Sequence, residues 1–163
     1  MKENSSTQGK LPPASAIERQ TLWASSSGWF EYLVRVQPHH TDYSGNVWHG
    51  TYLTWMEEAR VECLRSLGID FADLVALGCD LPVVDLSVRY HRAVRMGMTV
   101  VVKARMENMS GVRLNWDYEI QSIDAAEVYL TGRVTLVPVD REKGKIMRSL
   151  PPVVKDALMR LSS

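Results

Sequence analysis

Cysteine is scarce in this chain: Cys63 and Cys79 are the only two in 163 residues, both in apolar settings, with no C-x-x-C between them. That excludes a disulfide framework and points to a reducing compartment, the cytoplasm by default. Net charge is missing too, since Lys plus Arg and Asp plus Glu stand at 19 each. No general excess draws the chain to nucleic acid or an anionic membrane, so any anion site must be local. No apolar run approaches the roughly 18 residues of a membrane span, and the N-terminus lacks the apolar core of a signal peptide. A soluble, retained protein without nucleic-acid or membrane partners is expected. Also absent are G-x-S-x-G and any Ser/His/Asp arrangement able to supply an oxygen nucleophile.

What is present fits one domain of ordinary size. Residues 1–28 are rich in Ser, Pro and polar residues without periodicity, and read as a flexible tail on which Leu22 and Trp23 are isolated docking candidates. Residues 29–163 carry the pattern. Phe30, Tyr32, Val34 and Val36 alternate with Glu31, Leu33, Arg35 and Gln37, which is strand period. From about Gly50 to Leu67, Tyr52, Leu53, Met56, Ala59, Cys63, Leu64 and Leu67 recur at threes and fours, an amphipathic helix stopped by Gly68. A short helix over Phe71 to Leu77 follows. Four alternating runs come next: "PVVDLSVRYHRAV", "MTVVVKARMENM", "VRLNWDYEI" and "EVYLTGRVTLVPV". The short connections "RMG", "MSG" and "SIDAA" suit antiparallel neighbours. "PPVVKDALMRL" closes the chain as a helix. One long apolar-striped helix must bury its stripe on the face of a curved five-stranded antiparallel sheet, so the fold class is α+β.

The chemistry concentrates between the first strand and the long helix, in "HHTDYSGNVWHG". Three readings compete. A polar, glycine-containing connection is what any loop looks like. His39, His40, Asp42 and His49 are acceptable metal ligands, but His39 and His40 are adjacent and no H-x-x-x-H lies on a helix face. Third, the N-H groups at His49 and Gly50 open the helix without intrahelical acceptors and carry its positive end, where an oxyanion binds. Asp42, separated from them by the flexible Gly45, can stand opposite as nucleophile or general base. That pairing suffices for acyl transfer without a serine or cysteine nucleophile, and no metal or cofactor is expected.

The stretch "HTDYSGNVWHGTYLTWMEEARVECLRSLGID" resembles the signature of hotdog-fold acyl-CoA thioesterases of the 4-hydroxybenzoyl-CoA thioesterase group, including the YbgC-type enzymes. Their pattern runs approximately D-T-D-x-x-G-x-V-x-H-x-x-Y-L-x-x-x-E-x-A-R, and Thr41, Asp42, Gly45, Val47, His49, Tyr52, Leu53, Glu57, Ala59 and Arg60 fall on it. A later segment is similar through Val88, Tyr90, Arg95 and Gly97, and the likeness covers about Phe30 to Val139. It implies a hotdog fold, a long central helix wrapped by the curved sheet, and hydrolysis of an acyl-CoA to acid and coenzyme A. Asp42 is implied as the catalytic carboxylate and the His49 backbone N-H as the group that polarises the thioester carbonyl. Gly45, Val47, Trp48, Gly50 and Tyr52 are implied around the acyl group. Ser110, Gly111 and Arg113, with Arg89 and Arg92 behind them, are the candidates for coenzyme A phosphates. Such proteins are homodimers or homotetramers with sites at the dimer interface. The aromatic Tyr43, Trp48 and Tyr52 suggest an aromatic acyl group of hydroxybenzoyl or dihydroxynaphthoyl type, with short and branched aliphatic acyl groups as the open alternative.

The departures from the pattern matter as much. His40 stands where the pattern has an aspartate, and Tyr43 and Ser44 replace small residues, so the pocket mouth and substrate choice differ. The pattern's proline near Ala93 and its aspartate at Met98 are absent, which alters a turn. Elsewhere, Glu57 and Glu58 are helix acids, read first as a solvated face paired with Arg60 or Arg65, with catalysis from the long helix, as in some related hotdog enzymes, the lesser alternative. Asp85 reads as a structural partner and His91 as a strand-surface residue. A non-catalytic acyl-CoA-binding hotdog protein is the alternative function, and a hotdog hydratase fits less well because Asp42 and His49 are too far apart in sequence.

Overall fold

The computed structural model describes residues 21–23, 28–107 and 109–161. The expected tail therefore lies outside the described residues, apart from Gly28 and a three-residue strand β1, Thr21–Trp23. The strands β2 (Phe30–Arg35), β4 (Val83–Tyr90), β5 (Thr99–Met106), β6 (Leu114–Ser122) and β7 (Val128–Leu136) are the five expected from alternation. With β1 they form one antiparallel sheet in the order β1-β2-β5-β6-β7-β4. A small separate ribbon pairs β3 (Cys79–Asp80) with β8 (Val139–Asp140). The helices are α1 (Thr51–Ser66), α2 (Phe71–Ala76) and α3 (Pro152–Leu161).

The alternation in β6 is what buries one face of the sheet: Leu114, Trp116, Tyr118 and Ile120 face the core while Asn115, Asp117 and Glu119 do not. Across from it, Val100, Val102, Ala104 and Met106 of β5 do the same. The stripe of α1 closes the core from above through Tyr52, Met56, Ala59, Cys63 and Leu64, to which the structure adds Trp55 and Arg60. Each fully buried apolar side chain of this kind contributes about 1.5–3 kcal/mol. Gly132 in β7 marks the close approach, because a Cβ there would lie 3.2 Å from the Met56 methyl and 3.2 Å from the Ser87 carbonyl oxygen. Gly68, at φ +83°, ends α1 while its N-H and that of Ile69 return to Arg65 and Leu64. Helix α3 adds Val154, Ala157 and Leu158 to the same core.

One expected pairing is corrected. The short link after β4 suggests a hairpin to β5, yet β4 pairs with β7, and two strands lie between β4 and β5. Residues 91–98 instead cross the end of the sheet, tied by Val47 N-H to Val94 O, Met96 N-H to Gly45 O and Val36 N-H to Met98 O, near 2.8–3.0 Å. Val94 is buried at its centre. A link of this length suits a turn or a crossing, and the buried contacts of Val94 decide for the crossing. The result leaves β4 as an edge strand, with Val83, Val84, Leu86 and Tyr90 all about half exposed.

Candidate active site

The loop between β2 and α1 is built around a carboxylate. Asp42 Oδ1 accepts the N-H groups of Ser44 at 2.9 Å and Asn46 at 3.2 Å, while the Asp42 N-H donates to Asn46 O and Gly45 N-H returns to Asp42 O. This tight turn needs Gly45 in the left-handed region, at φ +77°. One carboxylate oxygen thus anchors the turn, while Oδ2 has no protein partner among the described residues. The side chain stands in solvent beside Tyr43, which is fully exposed.

His40 braces the loop from below. Its Nδ1 accepts the N-H of Gln37 at 2.9 Å, and its carbonyl takes both the Trp48 N-H at 3.0 Å and the Thr51 hydroxyl at 3.1 Å. Its ring meets Trp55 edge-on, 5.2 Å between centroids. Burial first, then His39, lower its pKa against a smaller opposing pull from Glu58, and the neutral ring is the form that can accept from Gln37. A histidine therefore does here what a carboxylate acceptor would do at the same place. Among the described residues, no three His, Cys, Asp or Glu side chains converge as a metal ligand set.

At the start of α1 the N-H groups of His49, Gly50 and Tyr52 have no acceptor among the described residues, while the Thr51 N-H closes on Trp48 O at 2.9 Å. The Trp48 ring lies over Gly50 so closely that a Cβ there would fall 2.2 Å from it. Beside this end is an open cavity of about 260 Å³ lined by Val47, His49, Tyr52, Tyr90, His91, Arg92 and Ala93. Tyr52 is fixed there because its hydroxyl accepts the Val94 N-H at 3.3 Å. Farther along the seam between α1 and β4 is a second cavity of similar volume, lined mainly by Leu53, Met56, Val83, Leu86 and Val134, with Glu57 and Arg60. Asp42 lines neither.

The structure thus gathers Asp42, Gly45, Val47, Trp48, His49, Gly50 and Tyr52 in one loop and helix start. It does not bring all the anion candidates to them. Ser110, Gly111 and Arg113 form a turn before β6, with Gly111 at φ +63°, at the sheet end that holds Val83 and Met106. The site lies at the Tyr90 and Thr99 end, roughly 25 Å away along the strands. Arg92 does border the first cavity, in an exposed 2.9 Å ion pair with Glu127. Arg89 is exposed on β4.

Other expectations resolve as follows. Arg60 is not a surface partner of Glu57 or Glu58. It is buried, because it lies on the apolar stripe, and its Nη1 donates to Tyr118 Oη at 2.8 Å. Glu58 instead accepts the Tyr32 hydroxyl at 3.2 Å, and Arg65 pairs with Glu62 and Asp70. Among the described residues the Asp85 side chain bonds the Leu86 N-H alone, and His91 meets the Thr131 hydroxyl at the cavity wall. Both thiols are buried, and burial pushes Cys63 up to about 12 and raises Cys79, so neither supplies a thiolate nucleophile. The alternation and the family pattern both include Tyr90, but neither gives it a contact with the helix start, and its hydroxyl donates to the His49 carbonyl at 2.6 Å. That partner lies 41 residues away in sequence, and periodicity reports the side of the sheet a ring takes, not what its hydroxyl reaches.

The sequence profile of the family described as the thioesterase superfamily matches residues 44–129. A Synechocystis sp. protein carrying a provisional esterase name is 56% identical over 161 residues, covering 96% of this chain and 97% of its own. The acyl-CoA thioester hydrolase YbgC of Shigella flexneri is 30% identical over 75% of this chain and 90% of its own. Among solved structures, a DHNA-CoA thioesterase from Staphylococcus aureus is 29% identical, with a TM-score of 0.75, covering 82% of this chain and 90% of that one.

Proposed function

We propose a function from one premise: the chain belongs to the thioesterase superfamily, and within it hydrolyses an acyl-CoA thioester to the free acid and coenzyme A. The observation that carries the mechanism is a pair of features in one loop and the helix start it leads into: a solvent-facing carboxylate with one oxygen free, and peptide N-H groups without acceptors, both among the described residues. The thioester carbonyl oxygen takes the N-H of His49, where the positive helix end stabilises the charge that develops on it. Asp42 then acts in one of two ways. It attacks the carbonyl carbon, expelling the coenzyme A thiolate and leaving a mixed anhydride that water opens; or it takes a proton from water as the water oxygen attacks. Either way the carbon-sulfur bond breaks, the acid gains the water oxygen and the thiolate gains a proton. The aromatic Trp48 and Tyr52 favour an aromatic acyl group, in line with the DHNA-CoA in the name of the Staphylococcus aureus neighbour.

The edge strand β4 supports a homodimer, from which a tetramer builds by pairing of dimers. Its half-exposed Val83, Val84 and Leu86 are unsuited to water, and its unpaired backbone is a template for a second β4. Antiparallel pairing about a twofold axis sets the Val83 end of one copy against the Tyr90 end of the other. The turn of Ser110, Gly111 and Arg113 lies two strands from β4, roughly 10 Å, so the second copy brings that turn toward this copy's site, where it binds coenzyme A phosphates. With two free thiols and no helix long and apolar enough to cross a membrane among the described residues, the cytoplasm is the proposed compartment.

The test is a panel of aromatic and aliphatic acyl-CoA thioesters assayed by thiol release, with Asp42→Asn alongside. The variant loses about 10²–10⁴-fold in kcat while its dissociation constant for the substrate stays within a few-fold. Wild-type turnover in Asp42→Asn refutes the role of Asp42, and no turnover of any thioester by the native protein sinks the enzymatic reading.

A further inference from the structure

The bond from Tyr90 to His49 replaces one that a regular helix would make. In an α-helix the His49 carbonyl would accept the N-H of Leu53, four residues on. Here the Leu53 N-H closes instead on Gly50 O at 3.1 Å, a tighter first turn, and the His49 carbonyl is taken by the Tyr90 hydroxyl at 2.6 Å. The consequence follows from peptide planarity: the carbonyl of His49 and the N-H of Gly50 share one rigid plane and point opposite ways. Whatever holds the carbonyl aims the N-H. The preceding peptide is held in the same way, since Trp48 O accepts the Thr51 N-H, which aims the N-H of His49.

We infer that Tyr90 is a positioning residue for the thioesterase reaction: by holding the His49 carbonyl it presents the Gly50 N-H as a second oxyanion donor beside that of His49. The inference rests on the oxyanion role proposed above. Tyr90 is suited to the task because it is itself fixed. It ends β4, in register with Leu130 of β7, and its ring packs on that of Tyr52 at 5.5 Å between centroids. Tyr52 is in turn held by the Val94 N-H. A sheet edge is thereby wired to the first peptide of α1 through one hydroxyl. The hydroxyl also withdraws electron density from that peptide, making the Gly50 N-H a better donor. Nothing about the core of a single chain requires the arrangement, since Tyr90 is 48% exposed there.

Tyr90→Phe removes the hydroxyl and keeps the ring. Loss of a complete oxyanion donor costs about 10²–10³-fold in kcat, and a donor left in place but unaimed loses less, about 10–100-fold. The expected result is that fall in kcat on every accepted thioester, with a smaller rise in KM that matches the ketone's loss of affinity and an unchanged melting temperature. Two non-hydrolysable ligands separate positioning from packing. A ketone isostere of the substrate, with CH2 for sulfur, keeps the carbonyl; a thioether analogue lacks it. Tyr90→Phe weakens binding of the ketone, leaves the thioether unaffected, and returns the infrared carbonyl stretch of the bound ketone toward its value in water. Asp42→Asn serves as the control: it keeps the native carbonyl stretch while losing turnover, so failure of the Asp42 assignment shows there and not in the Tyr90 data. The proposal is overturned if Tyr90→Phe retains kcat, or if its kcat falls while the carbonyl stretch and the ratio of the two affinities stay native.

Discussion

Removing the hydroxyl of Tyr118 should destabilise the protein more than any surface change on α1, and removing Arg60 as well should restore much of the loss. Arg60 is 6% exposed and Tyr118 2%, and among the described residues no carboxylate lies within salt-bridge distance of the guanidinium. Burial pushes the Tyr118 pKa up to about 12 against the opposing pull of Arg60, so the phenol is neutral and the 2.8 Å contact is a charge-to-dipole hydrogen bond. Tyr118→Phe leaves the buried cation without that acceptor, at a cost of about 1.5–3 kcal/mol for a hydrogen bond to a charged group. For a domain of this size that lowers Tm by roughly 4–10 °C. Replacing both partners by apolar groups, as Arg60→Met with Tyr118→Phe, removes the stranded charge and costs less than the sum of the single changes by about 1–2 kcal/mol. Urea unfolding followed by tryptophan fluorescence, at constant m-value, measures all four corners of the cycle. The reasoning fails if Tyr118→Phe lies within about 0.5 kcal/mol of the native protein, or if the two single costs simply add.

Three further outcomes are expected. Gly50→Ala pushes the Trp48 ring off the helix start, because the new Cβ would fall 2.2 Å from it; KM should rise several-fold and tryptophan emission shift to the red, and unchanged values of both would contradict the packing described. His40 contributes stability that is fully present above its unfolded pKa of about 6.5 and is lost as pH falls through its lowered folded value. In His40→Asn, a non-titrating acceptor, unfolding free energy should therefore vary less with pH below 6.5 than in the native protein; parallel curves would contradict this. Leu86→Lys places a charge on the half-exposed edge of β4, and sedimentation should show a monomer with little activity; an active oligomer would exclude β4 as the subunit contact.

The strands and helices were legible because alternation in "VRLNWDYEI" and the three-to-four spacing over α1 reflect burial on one face, which is a local consequence of sequence. The acid was legible for a different reason. Asp42, Gly45 and the helix start sit within nine residues of one another, so their meeting needs no long-range contact. What escaped depends on partners distant in the chain. That β4 pairs with β7 and not with its successor is decided by the crossing at Val94. Arg60 looked like a surface charge because its acceptor, Tyr118, is 58 residues away, and Tyr90 reaches across 41 residues to His49. A stripe or an alternation reports which way a side chain faces, but not which polar group waits for it there.

The crossing of residues 91–98 fastens the Asp42 loop from the other half of the chain, through Val94 to Val47 and Gly45 to Met96. The turn at Asp42 closes on its own neighbours, but its attachment to the rest of the domain cannot form when the loop first leaves the ribosome. Synthesis has to proceed beyond Met98, and β5 has to find β2, before that clamp exists. Catalytic competence is on this account a late event of folding, and the nascent chain passes through a stage in which the long helix is already written but its acid is still untethered.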